Sequence, residues 1–267
     1  LGEGEVRVRV RSAGVNFPDI LITQGIYQFK PAHPFSPGSE CAGDVLSVGP
    51  GVTDFKAGDR VIAMTGHGAF AEEVNTLASN CLHLPDDISY ELGSAFVLTY
   101  GTSIYALLQM GKLMKDEWLL VHGAAGGVGL SAVEIGKAMG AKVIGTASSD
   151  EKLKIVTEHG ADEVINYSDG PFKDRVKEIC GSAGADVIYD PVGGDVFDQS
   201  LRCINWDGRL LVIGFASGRI PEAPANLALL KNCSIVGVFW GAWNKRNPEG
   251  HAKNMDMLFQ WLREGKL

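Results

Sequence analysis

Four glycines in eight residues carry the strongest chemical signal in the chain. They stand in His122-Gly123-Ala124-Ala125-Gly126-Gly127-Val128-Gly129, between the apolar run Leu119-Leu120-Val121 and a helical pattern. At a strand-to-helix turn, glycine lets the backbone bend tightly and come close to a pyrophosphate. The phosphates then face free N–H groups and the positive end of the helix. The chemistry is dinucleotide binding; the bland alternative is a helix start that only packs tightly on a strand. Aligned as x-x-Gly126-x-x-Gly129, the loop has Ala124 where a first glycine usually stands, which is tolerable if φ stays negative there.

The choice of dinucleotide turns on the next apolar run, Ala141-Lys142-Val143-Ile144-Gly145-Thr146-Ala147. Sites for NAD often end this strand in Asp or Glu, which binds the ribose hydroxyls. Here it ends in alanine, followed by Ser148, Ser149 and Lys152. A small hydroxyl and a cation suit a 2′-phosphate, so NADPH is expected. Asp150 as a displaced ribose acid is the competing reading, but Ser148-x-x-Glu151 also reads as a capping box, making these acids local structure. Tyr167 either covers the adenosine phosphate or is an ordinary strand-end tyrosine. Phe239-Trp240-Gly241-Ala242-Trp243 follows the last predicted strand, where ligands bind in open α/β sheets; it is a pocket wall or core.

Other chemistries find little support. The histidines at 33, 67, 83, 122, 159 and 251 form no H-x-x-x-H pair, and the 5 cysteines form no C-x-x-C pair. No G-x-S-x-G elbow is present. His122 closes a strand and reads as structural. A net charge of −8 argues against a duplex-binding surface, so no nucleic acid partner is expected. No apolar run reaches the roughly 18 residues of a membrane span, so no membrane partner is expected either. Scattered cysteines suggest a reducing compartment, the cytoplasm.

These residues need a frame. The 34 glycines among 267 residues, with 45% hydrophobic residues and no G-x-y period, describe a globular chain with many tight turns. In the first ninety residues Val6, Val8 and Val10 alternate with Arg7, Arg9 and Arg11, a half-buried strand with a solvated arginine face. Ala42–Val48, Arg60–Met64, Phe70–Val74 and Cys81–Leu84 are further predicted strands, giving a β-rich domain over residues 1–94. Ser89–Met110 is nearly free of charge and reads as helix. Over 95–267 strands and helices then alternate. The strands are Trp118–His122, Ala141–Ala147, Glu163–Asn166, Asp186–Asp190, Arg209–Ile213 and Ser234–Phe239. The helices are Val128–Met139, Asp150–His159, Phe172–Cys180, Val196–Cys203 and one containing Met257–Leu262. Near-continuous apolar strands with crossover helices predict an α/β fold, a six-stranded doubly wound parallel sheet.

Six segments together resemble the medium-chain dehydrogenase/reductase superfamily, and within it the zinc-free quinone oxidoreductase, zeta-crystallin-like branch. They are Ala13-Gly14-Val15-Asn16-Phe17-Pro18-Asp19, Pro37-Gly38-Ser39-Glu40-Cys41-Ala42-Gly43, Ala57-Gly58-Asp59-Arg60-Val61, Tyr100-Gly101-Thr102, the Ala124–Gly129 loop and Asp190-Pro191-Val192-Gly193-Gly194. The resemblance covers essentially the whole chain. It implies a Rossmann domain beside a GroES-like β-rich domain that is incomplete at both chain ends. By family length, about 20–30 residues are expected before Leu1 and about 50 after Leu267.

Zinc-dependent members carry a ligating Cys where this chain has Asn16, and a ligating His where it has Ser39. The four-Cys structural lobe is also missing, so no metal is expected. The resemblance implies hydride transfer from NADPH to a quinone or conjugated enone. The alternatives are an enoyl or alkenal double-bond reductase, and an NADPH-binding crystallin-like protein without turnover. It implies that Asn16 faces the nicotinamide carboxamide and the substrate, with Tyr27 at the substrate mouth. Thr102 contacts the nicotinamide or its ribose, and Gly126, Gly127 and Val128 line the pyrophosphate. Ser148, Lys152 and Tyr167 hold the 2′-phosphate. Ile213, Gly214 and Phe215 border the nicotinamide half, and Phe239 and Trp240 wall the cleft. No catalytic acid is assigned; Asp19 is either a proton relay or, more simply, a structural carboxylate. The resemblance also favours a homodimer through the sheet edge Ser234–Phe239.

Overall fold

The computed structural model describes all 267 residues, which divide into two compact units, Leu1–Leu98 and Thr99–Leu267. The first unit holds β1 (Glu5–Gly14), α1 (Phe17–Thr23), β2 (Glu40–Val48), β3 (Arg60–Met64), β4 (Glu73–Leu77), β5 (Cys81–His83) and α2 (Tyr90–Gly93). Its strands form one antiparallel sheet in the order β4-β1-β2-β3-β5. Val6 and Val8 enter its core with Val45, Val61 and Val74. Arg11 on the other face pairs with Asp44 at 2.8 Å.

Two details of this unit depart from the sequence reading. The strand expected over Phe70–Val74 runs instead from Glu73 to Leu77, in register with β1. The N–H groups of Ala69 and Phe70 are taken by the carbonyls of Gly38 and Pro37, so the chain there is a turn. α1 falls in a stretch expected to hold only strands and turns. Its signal is local: Asn16 at the N-cap, Pro18 in the first turn, and Asp19 at N3 accepting the Asn16 N–H at 2.8 Å.

α3 (Val97–Ile104) straddles the division and runs into a π-helical segment, Tyr105–Met110. The single helix expected over Ser89–Met110 is thus broken into three pieces. The second unit continues with β6 (Trp118–Val121), α4 (Gly127–Ala138), β7 (Lys142–Ala147), α5 (Asp150–Glu158), β8 (Glu163–Asn166), α6 (Lys173–Ile179), β9 (Ala185–Asp190), α7 (Gly194–Cys203), β10 (Ile204–Val212), α8 (Ala225–Lys231), β11 (Ser234–Gly237), α9 (Trp240–Arg246) and α10 (Pro248–Arg263). The six strands are parallel, in the order β11-β10-β9-β6-β7-β8. Leu119, Leu120, Ile144, Ile188 and Leu210 are fully buried, as strands covered on both faces require.

The strand order sets the site. The chain runs outward from β6 through β7 to β8, then crosses back to β9, β10 and β11. The direction reverses between β6 and β9, and ligands of such sheets bind outside the carboxyl ends of the strands at that switch point. The glycine loop leaves β6 there, and Asp190-Pro191-Val192-Gly193-Gly194 leaves β9 beside it.

Candidate functional site: a dinucleotide loop and its supports

The glycine loop is held from both sides. His122 N–H donates to the Tyr189 carbonyl at 3.0 Å, and Ala124 N–H to the Thr146 carbonyl at 3.0 Å. The left-handed residue of the turn is Gly123, at φ 55°, while Ala124 has negative φ and is buried. That is why alanine replaces the usual first glycine without strain. Gly129 has no such freedom: a Cβ there would lie 2.2 Å from the Gly123 carbonyl oxygen. Gly126 caps α4 with no side-chain acceptor, and no acidic residue occupies the first turn. The first N–H groups of a helix lack intrahelical partners. At Gly127 and Val128 they therefore face an exposed, uncapped, positively polarised end, which fits a pyrophosphate.

Beneath the loop lies a cluster of hydroxyls. Ser103 Oγ donates to the Val128 carbonyl at 3.0 Å and also meets Ser131 Oγ at 2.9 Å and Tyr189 Oη at 2.8 Å. Thr102, expected beside the nicotinamide, precedes Ser103 on α3 and is half-buried. His122 lies in a second polar pocket. Ser200 Oγ donates to the Val196 carbonyl at 2.7 Å, so His122 Nε2–H donates to Ser200, 2.8 Å away. Nδ1 then accepts from Thr146 Oγ1 at 2.9 Å. Burial pushes this imidazole down to about 3, so it is a neutral cross-link between β7 and α7.

At the end of β7, Lys152 Nζ donates to Ser148 Oγ at 3.1 Å. The cap of α5 is Ser149, whose Oγ accepts the Lys152 N–H, not Ser148 as the capping-box reading expects. Ser148 is thereby left to Lys152. Asp150 is engaged by Asn166, whose Nδ2 donates to its Oδ1 at 3.0 Å. Tyr167 follows β8, half-buried against the core of the unit.

The Asp190-Pro191-Val192-Gly193-Gly194 motif seats the segment after β10. Asp190 Oδ1 accepts the N–H groups of Val192 and Gly193, both at 2.9 Å. Burial pushes this carboxyl up while those two bonds pull it down. The Asp190 carbonyl accepts the Ile213 N–H at 2.9 Å, and the Pro191 carbonyl the Ala216 N–H at 3.0 Å. Gly193 and Gly194 have φ of 67° and 56°; a Cβ on Gly193 would lie 3.0 Å from the Phe215 ring and one on Gly194 2.7 Å from Ser217 Oγ. Ile213, Gly214 and Phe215 are therefore fixed in place by a turn from another strand.

The aromatic stretch after β11 is mostly core. β11 ends at Gly237 and Phe239 caps α9. Trp240 is 6% exposed and lies against Gly101, where an added Cβ would be 2.9 Å from its ring. Trp243 stacks on Tyr105 at 4.4 Å between centroids. Phe239, at 63% exposure, is the ring of this stretch that faces outward.

In the first unit four buried polar side chains converge: Asn16, Asp19, Ser39 and Glu40. Asp19 accepts the Asn16 N–H at 2.8 Å and the Ser39 hydroxyl. Glu40 Oε2 accepts from Asn16 Nδ2 at 3.3 Å, and Oε1 from the N–H groups of Val97 and Leu98 at 2.7 and 3.0 Å. Burial lifts the Glu40 carboxyl to about 7 against those three bonds. Glu40 had no role in the sequence reading; its signal is a carboxylate directly before the run Cys41-Ala42-Gly43, at the first residue of β2. The donors at Asn16 and Ser39 are an amide and a hydroxyl, both engaged by carboxylates, and nowhere in the chain do three His, Cys, Asp or Glu side chains converge. Tyr27 is half-buried, its phenol pushed up by burial and by the charge of Asp19.

Residues 2–86 match the alcohol dehydrogenase GroES-like domain family, and residues 127–255 the zinc-binding dehydrogenase family. The quinone oxidoreductase-like protein 2 homolog of Nematostella vectensis is 44% identical over 269 residues, covering 100% of this chain and 73% of the relative. A quinone oxidoreductase structure from Pseudomonas syringae superposes with a TM-score of 0.94 at 36% identity, covering 100% of this chain and 82% of that one. The Escherichia coli quinone oxidoreductase complexed with NADPH superposes with a TM-score of 0.92 at 34% identity, with the same coverage of 100% and 82%. This likeness spans both units and joins a chain without the Cys and His zinc ligands to quinone oxidoreductases: the chain belongs to the medium-chain dehydrogenase/reductase superfamily, in its zinc-free quinone oxidoreductase branch.

Proposed function

We propose that this chain is an NADPH-dependent, zinc-independent oxidoreductase that delivers hydride to a quinone or a similar conjugated carbonyl. The observation that carries the cofactor is the Lys152–Ser148 pair at 3.1 Å, beside a strand that ends in Ala147 where an NAD site often has a carboxylate. Bound NADPH supplies the hydride. The residues do the rest by holding and orienting. Gly126, Gly127 and Val128 present N–H groups to the pyrophosphate. Ser148 and Lys152, with Tyr167 alongside, hold the 2′-phosphate. Thr102, Ile213, Gly214 and Phe215 border the nicotinamide half, the last three seated by Asp190. Phe239 supplies an apolar wall, and Trp240 supports it from the core. Asn16 and Tyr27 are assigned to the substrate side; Asp19 and Glu40 fix Asn16 from two directions.

No general acid is assigned. A quinone accepts hydride readily and takes its proton from water, so orientation suffices. The first unit is assigned as the substrate domain and the second as the dinucleotide domain. We further assign a cytoplasmic location and a homodimer through the β11 edge. The test is an acceptor screen. NADPH absorbance should fall on adding a benzoquinone or naphthoquinone, with hydroquinone as product. No acceptor-dependent loss across the panel overturns the proposal, and a saturated carbonyl formed from an enone in place of hydroquinone moves the assignment to a double-bond reductase.

A further inference from the structure

Asp150 is a carboxylate in a place where a carboxylate matters. It is the first residue of α5, two positions after Ser148 at the end of β7. A free carboxylate near this strand end can accept hydrogen bonds from the two hydroxyls of an unphosphorylated ribose, and it repels a 2′-phosphate. It would thus favour NADH at the expense of NADPH, opposing Lys152.

The structure ties Asp150 to the end of β8. Its Oδ1 accepts Asn166 Nδ2 at 3.0 Å. Asn166 is itself fixed. It ends β8, paired in register with Ala147, and its Oδ1 accepts the Ser168 N–H at 3.0 Å. With the amide oxygen committed to a donor, Nδ2 is the group left for the carboxylate. Ser168 Oγ donates to the Ser148 carbonyl at 2.9 Å, a second tie between the turn after β8 and the end of β7. Residues two apart on a helix point to different sides. Lys152 therefore reaches back to Ser148 while Asp150 reaches across to Asn166. Acid and base thus take different partners within one helical turn.

We infer that Asn166 determines cofactor selectivity by holding Asp150 on the β8 side, which keeps a carboxylate out of the 2′-phosphate position and denies NADH a partner for its ribose diol. This rests on the NADPH reading above and adds a residue outside the phosphate contacts. Asn166 is a positioning residue, acting through Asp150.

The test is calorimetric titration of the intact chain with NADPH and NADH, and with adenosine 2′,5′-bisphosphate and ADP as probes of the adenosine half alone. Asn166→Ala should lower the NADPH-to-NADH affinity ratio about tenfold, the effect of releasing one charged hydrogen-bond partner. The bisphosphate-to-ADP ratio should fall in parallel. Adding Asp150→Ala to Asn166→Ala should restore the ratio, because no carboxylate remains to be freed. If Asn166→Ala weakens all four ligands by one common factor, Asn166 is merely structural and the inference falls. Asp150→Asn in the presence of Asn166 is the variant that does not depend on a released loop. It should leave NADPH affinity within about twofold, and a tenfold gain would show that Asp150 already faces the phosphate, overturning the inference. A wild-type chain that binds NADPH and NADH equally overturns the NADPH reading and this inference together. A wild-type preference for NADPH with an unchanged ratio in Asn166→Ala overturns this inference alone.

Discussion

At the scale of single residues, two buried titratable groups oppose each other. His122 has a folded pKa of about 3 against a usual 6.5. The unfolded chain takes up a proton at this position below pH 6.5 and the folded chain does not until about pH 3, so stability is lost as pH falls through that window. Glu40 is lifted from 4.5 to about 7, so its contribution has the other sign: present below pH 4.5 and lost as pH rises through 7. Replacing His122 isolates the first effect. Between pH 7.5 and 5 wild type should lose about 2 kcal/mol more stability than His122→Gln, from 1.36 kcal/mol per pH unit below the unfolded pKa. The variant is expected to start from a lower stability, since its bonds to Thr146 and Ser200 are disturbed; the slope of the urea midpoint against pH is the readout. Parallel slopes would mean that His122 takes up its proton at the same pH in the folded and the unfolded chain.

At the scale of elements, the inner parallel strands such as β6 and β7 were legible because both of their faces are buried. Glu163–Asn166 matches its predicted bounds, and Trp118–Val121 and Lys142–Ala147 differ by one residue at an end. Arg60–Met64 in the first unit matches as well. Elements fixed by contacts from elsewhere were not legible. α8 follows the irregular stretch after β10, and β4 is set by pairing with a distant strand. The glycine loop shows how one motif contains two kinds of glycine. Gly129 is required by the fold, since a Cβ would lie 2.2 Å from the Gly123 carbonyl oxygen. Gly126 has φ of −84°, is exposed, and an added Cβ meets only the Gly123 oxygen at 3.3 Å. Gly129→Ala should therefore cost about 1–3 kcal/mol of stability, as overpacking does, and weaken NADPH binding as well. Gly126→Ala should leave thermal stability close to wild type and weaken NADPH about tenfold or more, by placing a methyl where the backbone must approach phosphate. Equal stability losses in the two variants would contradict this division.

At the scale of the whole molecule, the candidate dinucleotide site was legible where it is written in one stretch of chain, and illegible where distant segments meet. Ser148 and Lys152 are four residues apart on one turn; Asn16, Ser39, Glu40 and the N–H groups of Val97 and Leu98 come together only through folding. The same contrast applies to the molecule's outer edge. β11 is the last strand of the six-stranded sheet on one side, and its four residues pair only with β10. Ile235 on it is 37% exposed, and Leu229 and Leu230 on the preceding α8 are 78% and 68% exposed. An unpaired strand edge beside exposed leucines invites a second strand, and a two-fold pairing of two copies would satisfy it and close the assembly. Sedimentation at micromolar concentration should give a dimer for wild type and a monomer for Ile235→Lys. A charge placed at the centre of such a contact costs about 3 kcal/mol or more, over a hundredfold in dimer affinity. The variant should keep the NADPH affinity of wild type, because β11 is remote in the sheet order from the switch point between β6 and β9. A wild-type monomer, or a dimer indifferent to Ile235→Lys, would place the contact elsewhere or remove it.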